Sequence, residues 1–129
     1  MARRERVPGM SRAPLDRLDL LRQALTRFIV ERDWDQFHSP RNLAVALAVE
    51  AGELLEHFQW TTEEQSKALA QDERHAVAEE MADVFLYLLC LAEKIDVNLL
   101  EAAERKLETN RGKYPVEKAK GKSTKYTKL

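Results

Sequence analysis

The feature of this chain that most restricts its fold is the spacing of its apolar residues, which recur every three or four positions through four long segments. That spacing is typical of amphipathic α-helices that bury one face. Turn-forming residues are rare, with 4 Gly and 4 Pro among 129 residues, whereas a β fold depends on many turns. The chain is also long enough to bury one core. We therefore expect an all-α domain that resembles a four-helix bundle.

Capping residues predict where these helices begin and end. Ser39 followed by Pro40 is a start signal, because Ser favours the N-cap and Pro the first helical position. Asp72 is expected to cap the longest helix, and Gly112 to end the last one. The expected long helices cover residues 15–34, 40–59, 72–94 and from Asp96 or Asn98 to about Gly112, with a short helix in 61–71.

Charge is unevenly distributed along the chain. Residues 1–12 carry four Arg and one Glu, residues 113–129 carry six Lys and one Glu, and residues 13–112 hold 11 basic and 20 acidic groups. Binding to a nucleic-acid backbone needs a basic face, so the acidic middle argues against a nucleic-acid polymer as partner and suits divalent cations. We expect a disordered basic leader over residues 1–14, the folded domain over 15–112 and a Lys-rich tail over 113–129.

Cysteine content and hydropathy indicate a cytoplasmic protein. Cys90 is the one cysteine and lies in the longest apolar run, residues 84–92, so it is expected in the core and no internal disulfide forms. That run is far shorter than the roughly 20 residues that span a bilayer, and the N-terminus lacks a signal-peptide pattern. We therefore expect no membrane partner.

Two of the expected helices carry a pair of acids beside the apolar face rather than opposite it. Residues three apart on a helix have Cβ atoms about 5–6 Å apart, so each pair shares one flank. If the two helices pack side by side, four carboxylates come together, which is unfavourable unless something compensates their charge. The four acids are Glu50, Glu53, Glu80 and Asp83.

A cation is the expected compensation. An all-oxygen site favours Mg²⁺ or Mn²⁺, whereas zinc normally takes His or Cys ligands and di-iron bundles need an E-x-x-H motif that this chain lacks. Glu101 and Glu104 are also three apart, but they lie opposite apolar residues and are expected to be solvated. One alternative is that both flanking pairs are ordinary solvated or salt-bridged acids. Another is that the protein is a non-catalytic helical interaction module, in which the acid pairs face a basic partner.

Two short acidic motifs, EAGE at 50–53 and EEMAD at 79–83, resemble the E-x-x-E…E-x-x-D signature of the MazG-type all-α nucleoside triphosphate pyrophosphohydrolases. The resemblance covers about residues 15–129 and is to the dCTP pyrophosphatase branch in particular. The segments that extend it are ERDWDQFHSPRNL, EHFQW, DVFLYLLCLA, KLETNRGKYP and the terminal KYT.

The resemblance implies hydrolysis of a (deoxy)nucleoside triphosphate, dCTP or a modified dCTP, to the monophosphate and pyrophosphate. It implies that Mg²⁺, with Mn²⁺ as a possible substitute, is held by the catalytic carboxylates Glu50, Glu53, Glu80 and Asp83, and that one of the glutamates or Glu79 orients the attacking water. It also implies a homo-oligomer, either a dimer or a tetramer. The implied substrate-binding residues are Trp34, His38, Trp60, Tyr87, Lys106 and Asn110.

Two departures from the animal members of that branch leave the base preference open. Leu25 stands in the first helix where those proteins have His, and the linker after Trp60 is shorter here. Both positions affect the nucleotide pocket, so a dUTP or broad-specificity triphosphate pyrophosphohydrolase is the alternative within this class.

Overall fold

The computed structural model of the chain describes residues 15–129, which form six α-helices and two 3-10 helices and contain no β-strand. The prediction of an all-α fold is confirmed, while the expected leader over 1–14 lies outside the described residues. None of the helices described is both long enough and apolar enough to cross a bilayer. The helices are α1 (Arg17–Glu31), α2 (Pro40–Glu56), α3 (Glu63–Ser66), α4 (Gln71–Lys94), α5 (Leu99–Lys113) and α6 (Val116–Ala119), with 3-10 helices at Asp35–Phe37 and Tyr126–Lys128.

The chain divides into two units, and α1 belongs to the first, Met1–Trp34. Asp16 caps α1 through its side chain, and the helix stops before Asp33, whose φ of 54° is left-handed and cannot continue an α-helix. Trp34 therefore lies just outside the helix that was expected to include it. Its ring packs edge to face against Phe28, with the centroids 5.6 Å apart.

The second unit, Asp35–Leu129, is built on the packing of α2 against α4. Leu43 of α2 is 1% exposed. Helix α4 buries Val77 in its first half and Leu89, Cys90 and Ala92 near its C-terminal end. Cys90 is among them and is free, which confirms its predicted place in the core. The two helices that bury this core are the two that carry the flanking acid pairs.

Three further helix starts follow from side-chain caps, as that of α1 does from Asp16. The Ser39 hydroxyl accepts a hydrogen bond from the backbone N–H of Asn42 at 3.1 Å and Pro40 is the first residue of α2, as predicted. Thr62 and Gln65 form a reciprocal capping box at α3. Asn98, one of the two candidates, caps α5.

Two predicted helix boundaries were wrong. The cap of α4 is Ala70 rather than Asp72, which lies inside the first turn, where its negative charge is favourable at the positive helix end. Helix α2 ends at Glu56, three residues before the expected end at 59. Helix α5 ends at Lys113, one residue after Gly112 and so near its predicted end; Gly112 itself keeps an ordinary helical φ, and Pro115 prevents further helix.

The Lys-rich segment after α5 contains α6 and the second 3-10 helix. Tyr126 packs edge to face against Tyr114, with ring centroids 5.9 Å apart, and the Lys113 ammonium lies 4.7 Å from the Tyr126 ring centroid. These contacts hold the C-terminal residues against the end of α5.

Candidate functional site

Three carboxylates from α2 and α4 converge in the second unit. One oxygen from each of Glu50, Glu80 and Asp83 lies within 4.8 Å of the others. Glu80 and Asp83 share one flank of α4 because they are three residues apart, and the packing of α2 on α4 brings Glu50 to them. The structure therefore brings together three of the four predicted acids.

The fourth acid, Glu53, lies beside this cluster rather than within it. Its side chain is exposed and hydrogen-bonds to the carboxyl group of Glu50, one turn earlier on α2. Glu53 is thus connected to the converging oxygens through Glu50.

Two oxygens of the cluster lack partners. Glu50 Oε2 and Glu80 Oε2 are buried and have no hydrogen-bond donor. A buried carboxylate oxygen without a donor is unfavourable by about 1–3 kcal/mol or more, so such atoms are rare in folded proteins. A cation between the two helices would supply the missing partner to both oxygens.

The electrostatics of Glu50 also indicate that the cluster needs a cation. Burial has the largest effect on the pKa of Glu50, and the hydrogen bond to Glu53 and the negative charges of Glu53, Asp83 and Glu80 act in the same direction. Together they raise this pKa from its ordinary 4.5 to about 7. Positive charge at the cluster would reverse this effect and favour the carboxylate. The converging ligands are all oxygens, the donor set that Mg²⁺ and Mn²⁺ prefer.

Tyr87 lies next to the cluster, one turn after Asp83 on α4. Burial raises the pKa of its hydroxyl, and the negative charges of Glu50 and Asp83 add to the shift. Tyr87 therefore stays protonated at neutral pH and presents a hydrogen-bond donor beside the carboxylates.

Trp34 and His38, two of the predicted substrate residues, belong to different units of the chain. Trp34 closes the first unit, with its ring half exposed beside Phe28. His38 follows the first 3-10 helix of the second unit, and its backbone N–H donates to the carbonyl of Asp35. Lys94 donates to Asp35 Oδ1 at 2.6 Å and so attaches this 3-10 segment to the C-terminal end of α4.

The remaining predicted substrate residues lie on α5 and in the turn after α2. Trp60 is 87% exposed, so nearly the whole indole is available for stacking. Lys106 and Asn110 lie one turn apart on α5; Lys106 is exposed and Asn110 is half-buried. Their roles toward a nucleotide stay predictions.

Two histidine–glutamate pairs involve α4. Nε2 of His57 lies 3.9 Å from Oε1 of Glu80. His57 was not among the predicted site residues. Its position four residues after Glu53, on the same flank of α2, was the sequence signal that could have identified it. His75 pairs with Glu79 at 3.2 Å, where both side chains are well exposed. Glu79, proposed as a possible water-orienting residue, therefore has a partner outside the carboxylate cluster.

The chain is similar to a described family and to proteins of known activity. Residues 45–129 match the family described as MazG-like. dCTP pyrophosphatase 1 of Mus musculus is 45% identical over 119 residues, which is 91% of this chain and 70% of that protein. The protein of the same name from Homo sapiens is 43% identical over 126 residues, covering 95% of this chain and 74% of its own length.

A solved structure extends the likeness to the fold. The crystal structure of a pyrophosphatase from Archaeoglobus fulgidus superposes with a TM-score of 0.75 at 38% sequence identity, covering 80% of this chain and 96% of that one. The region that matches the family contains all four predicted acids, the whole of α4 and the part of α2 from residue 45 onward. The chain belongs to the MazG-like family.

Proposed function

We propose that this protein is a Mg²⁺-dependent pyrophosphohydrolase that converts dCTP, or a modified dCTP, to the monophosphate and pyrophosphate. The observation that carries the proposal is the convergence of Glu50, Glu80 and Asp83 with two buried oxygens that lack partners. The choice of dCTP is supported by relatives named dCTP pyrophosphatase 1 that are 45% and 43% identical to this chain.

The cluster fits a divalent cation through its own residues. Glu50, Glu80 and Asp83 would hold the ion, and Glu53 would join them or support Glu50 through their hydrogen bond. When bound, Mg²⁺ or Mn²⁺ supplies positive charge that neutralises the triphosphate and stabilises the leaving pyrophosphate.

In the proposed reaction the nucleophile is a water molecule, and no protein side chain forms a covalent bond to the nucleotide. The oxygen of a water forms a bond to the α-phosphorus, the bond from that phosphorus to the bridging oxygen breaks, and pyrophosphate leaves with the electron pair. A carboxylate oxygen of the cluster accepts the proton from the water. The protonated hydroxyl of Tyr87 donates a hydrogen bond to the nucleotide beside the cluster.

The nucleoside is bound by side chains outside the cluster. Within the second unit we assign the base and sugar to His38 and Trp60, because exposed aromatic faces stack on bases. The substrate role expected of Trp34 stays a prediction. Lys106 is assigned to the phosphates because an ammonium complements their charge, and Asn110 to a neighbouring polar group of the nucleotide. The likeness of the chain to dCTP pyrophosphatase 1 supports a nucleotide as the ligand of these residues.

We further propose that the protein works as a homo-oligomer, a dimer or a tetramer. Large apolar side chains are exposed at one-turn spacing on both core helices, Val45 and Val49 on α2 and Met81 and Phe85 on α4. Exposed apolar surface of this kind is typical of a protein interface, and a second copy is the commonest occupant.

The proposed catalytic domain is residues 15–112, and the Lys-rich tail follows it. We also propose that the protein works in the cytoplasm, because a free cysteine such as Cys90 suits a reducing compartment.

Product analysis with a panel of nucleotides tests the activity. The common ribo- and deoxyribonucleoside triphosphates, together with 5-modified dCTP, are incubated with the protein in Mg²⁺ and in EDTA, and monophosphate, pyrophosphate and orthophosphate are measured separately. We expect pyrophosphate in Mg²⁺ alone, with dCTP or its modified form among the best substrates. Glu80→Gln should be inactive, and Glu104→Gln, an exposed acid of α5, should be as active as the wild type.

Three outcomes would contradict parts of this proposal. Release of orthophosphate without pyrophosphate overturns the reaction type, and a clear preference for dUTP or a purine overturns the base assignment alone. Absence of turnover in a protein whose melting temperature does not respond to Mg²⁺ supports the interaction-module alternative instead.

A further inference from the structure

The two carboxylate oxygens of Glu80 have different surroundings. Oε1 lies 3.9 Å from Nε2 of His57, whereas Oε2 is buried without a hydrogen-bond partner. Glu80 therefore has one oxygen available to a cation and the other directed at an imidazole. The contact joins the C-terminal end of α2 to the middle of α4.

His57 touches the cluster from outside. The ligand atoms within 4.8 Å of one another belong to Glu50, Glu80 and Asp83, and His57 is absent from that group among the residues described. It occupies the C-cap of α2, directly after the last helical residue, Glu56, so the helix end fixes its backbone. The His57 side chain is 33% exposed and that of Glu80 is 23% exposed, so both groups are partly withdrawn from solvent.

We propose that His57 is a positioning residue that holds Glu80 in its metal-binding orientation by donating the Nε2 hydrogen to Oε1. The inference rests on the metal site of the proposed function. The contact of 3.9 Å exceeds the roughly 2.7–3.2 Å of an N–H···O bond, so the proposal includes a side-chain movement that closes this gap when the ion binds. A carboxylate ligand whose second oxygen is hydrogen-bonded has one orientation for the ion, and loss of such outer partners typically weakens metal binding by about 10–100-fold.

An ordinary surface ion pair makes a different prediction, because exposed pairs contribute little and do not orient a ligand. The chain contains a matched pair for comparison. His75 and Glu79 lie 3.2 Å apart with side chains that are 76% and 70% exposed, and they use the same residue types away from the cluster. Removal of His75 therefore controls for the loss of a histidine–glutamate contact as such.

The experiment measures Mn²⁺ binding to the full chain by isothermal titration calorimetry, without nucleotide and at one fixed pH. We expect His57→Ala to bind Mn²⁺ about tenfold more weakly than the wild type, and His57→Gln, which keeps an N–H donor, to recover part of the loss. His75→Ala should bind like the wild type. Melting temperatures in EDTA should be similar for all these variants, since His57 is half-buried at a helix end.

Wild-type affinity in His57→Ala overturns the inference, as does equal weakening in His75→Ala. If His57→Ala unfolds, His57→Leu replaces it in the same comparison, because leucine fills similar space and has no donor. A wild-type protein that binds no Mn²⁺ overturns the proposed metal site together with this inference. Tight wild-type binding that the His57 variants leave unchanged overturns the inference alone.

Discussion

Glu50 on α2 and Glu80 on α4 each bury one carboxylate oxygen, and neither oxygen has a hydrogen-bond donor. Asp83 adds a third negative oxygen within 4.8 Å of the ligand atoms of both. Without a cation the cluster opposes the packing of α2 on α4, because like charges repel and buried carboxylates lack solvation. With a cation the same groups favour that packing, so stability should depend on metal.

Neutralising one acid of the cluster should not destabilise the metal-free protein. Asp83→Asn removes one repelling charge, so in EDTA it should melt at the wild-type temperature or above. It should also lose most of the rise in melting temperature that Mg²⁺ produces. In the wild type, a Mg²⁺ concentration of 100 times the Kd would add about 2.7 kcal/mol to the free energy of unfolding. Thermal melts in EDTA and in Mg²⁺ measure both effects.

The control for this experiment is Glu104→Gln, which removes an exposed acid of α5 and should change neither melt. A structural role for Asp83 would give the opposite result. If Asp83 were a structural salt-bridge partner, Asp83→Asn would destabilise the fold by about 1–3 kcal/mol with or without metal and would retain activity.

The stability of the metal-free protein should depend on pH through Glu50. Its pKa is about 7 in the folded chain against an ordinary value of 4.5, so between these values the folded state holds a proton that the unfolded state has released. This contribution is full below pH 4.5 and is lost as the pH rises to about 7. We expect the stability of the wild type relative to Glu50→Gln to fall over that interval, measured by urea unfolding in EDTA.

If the stability of the wild type relative to Glu50→Gln stays constant with pH, Glu50 has an ordinary pKa, and if it rises with pH, the pKa of Glu50 is lowered; either result contradicts the prediction. Other carboxylates titrate in both proteins, so the comparison isolates the contribution of this one group.

Gly52→Ala should stabilise the isolated protein. Gly52 lies in α2 between the acids of the EAGE motif, and, apart from its chain neighbours and the backbone of its own helix, a Cβ added there would meet no atom within 4 Å. Alanine in a helix interior is favoured over glycine by about 0.5–1 kcal/mol, and urea unfolding should show a gain of that size. Gly112→Ala in α5 has the same open space and is the matched comparison.

If Gly52→Ala loses turnover while keeping its metal affinity and Gly112→Ala loses neither, the space beside Gly52 is filled by the nucleotide or a second copy during function. Absence of any gain in stability from either variant would contradict the helix-propensity argument.

Self-association should depend on the exposed apolar side chains of α2. Val49 is 53% exposed, and Lys is a better helix former than Val, so Val49→Lys should leave the fold of one chain intact. We expect the wild type to sediment with at least twice the chain mass of 14.9 kDa, and Val49→Lys to associate at least about tenfold more weakly, since burying the added charge is unfavourable. A wild-type chain that sediments as a monomer at micromolar concentration contradicts the proposed assembly.

Much of the fold could be predicted because its signals are local. The three-to-four-residue apolar period predicts helices, and Ser39, Pro40 and Asn98 start two of them because a side chain or a fixed φ acts on the adjacent backbone. The start of α4 was misplaced since Asp72 has two favourable positions, the cap and the first turn. Local chemistry alone does not choose between them.

The candidate site divides in the same way. The sequence by itself determined that two helices carry acids on one flank, because a three-residue spacing fixes their shared direction. Only the packing of α2 on α4 decided that Glu50 joins Glu80 and Asp83 while Glu53 stays at the edge, and that His57 reaches Glu80. These distances depend on how far each helix is rotated and displaced along the other, and that arrangement is set by the buried core between them rather than by the spacing of acids within either helix.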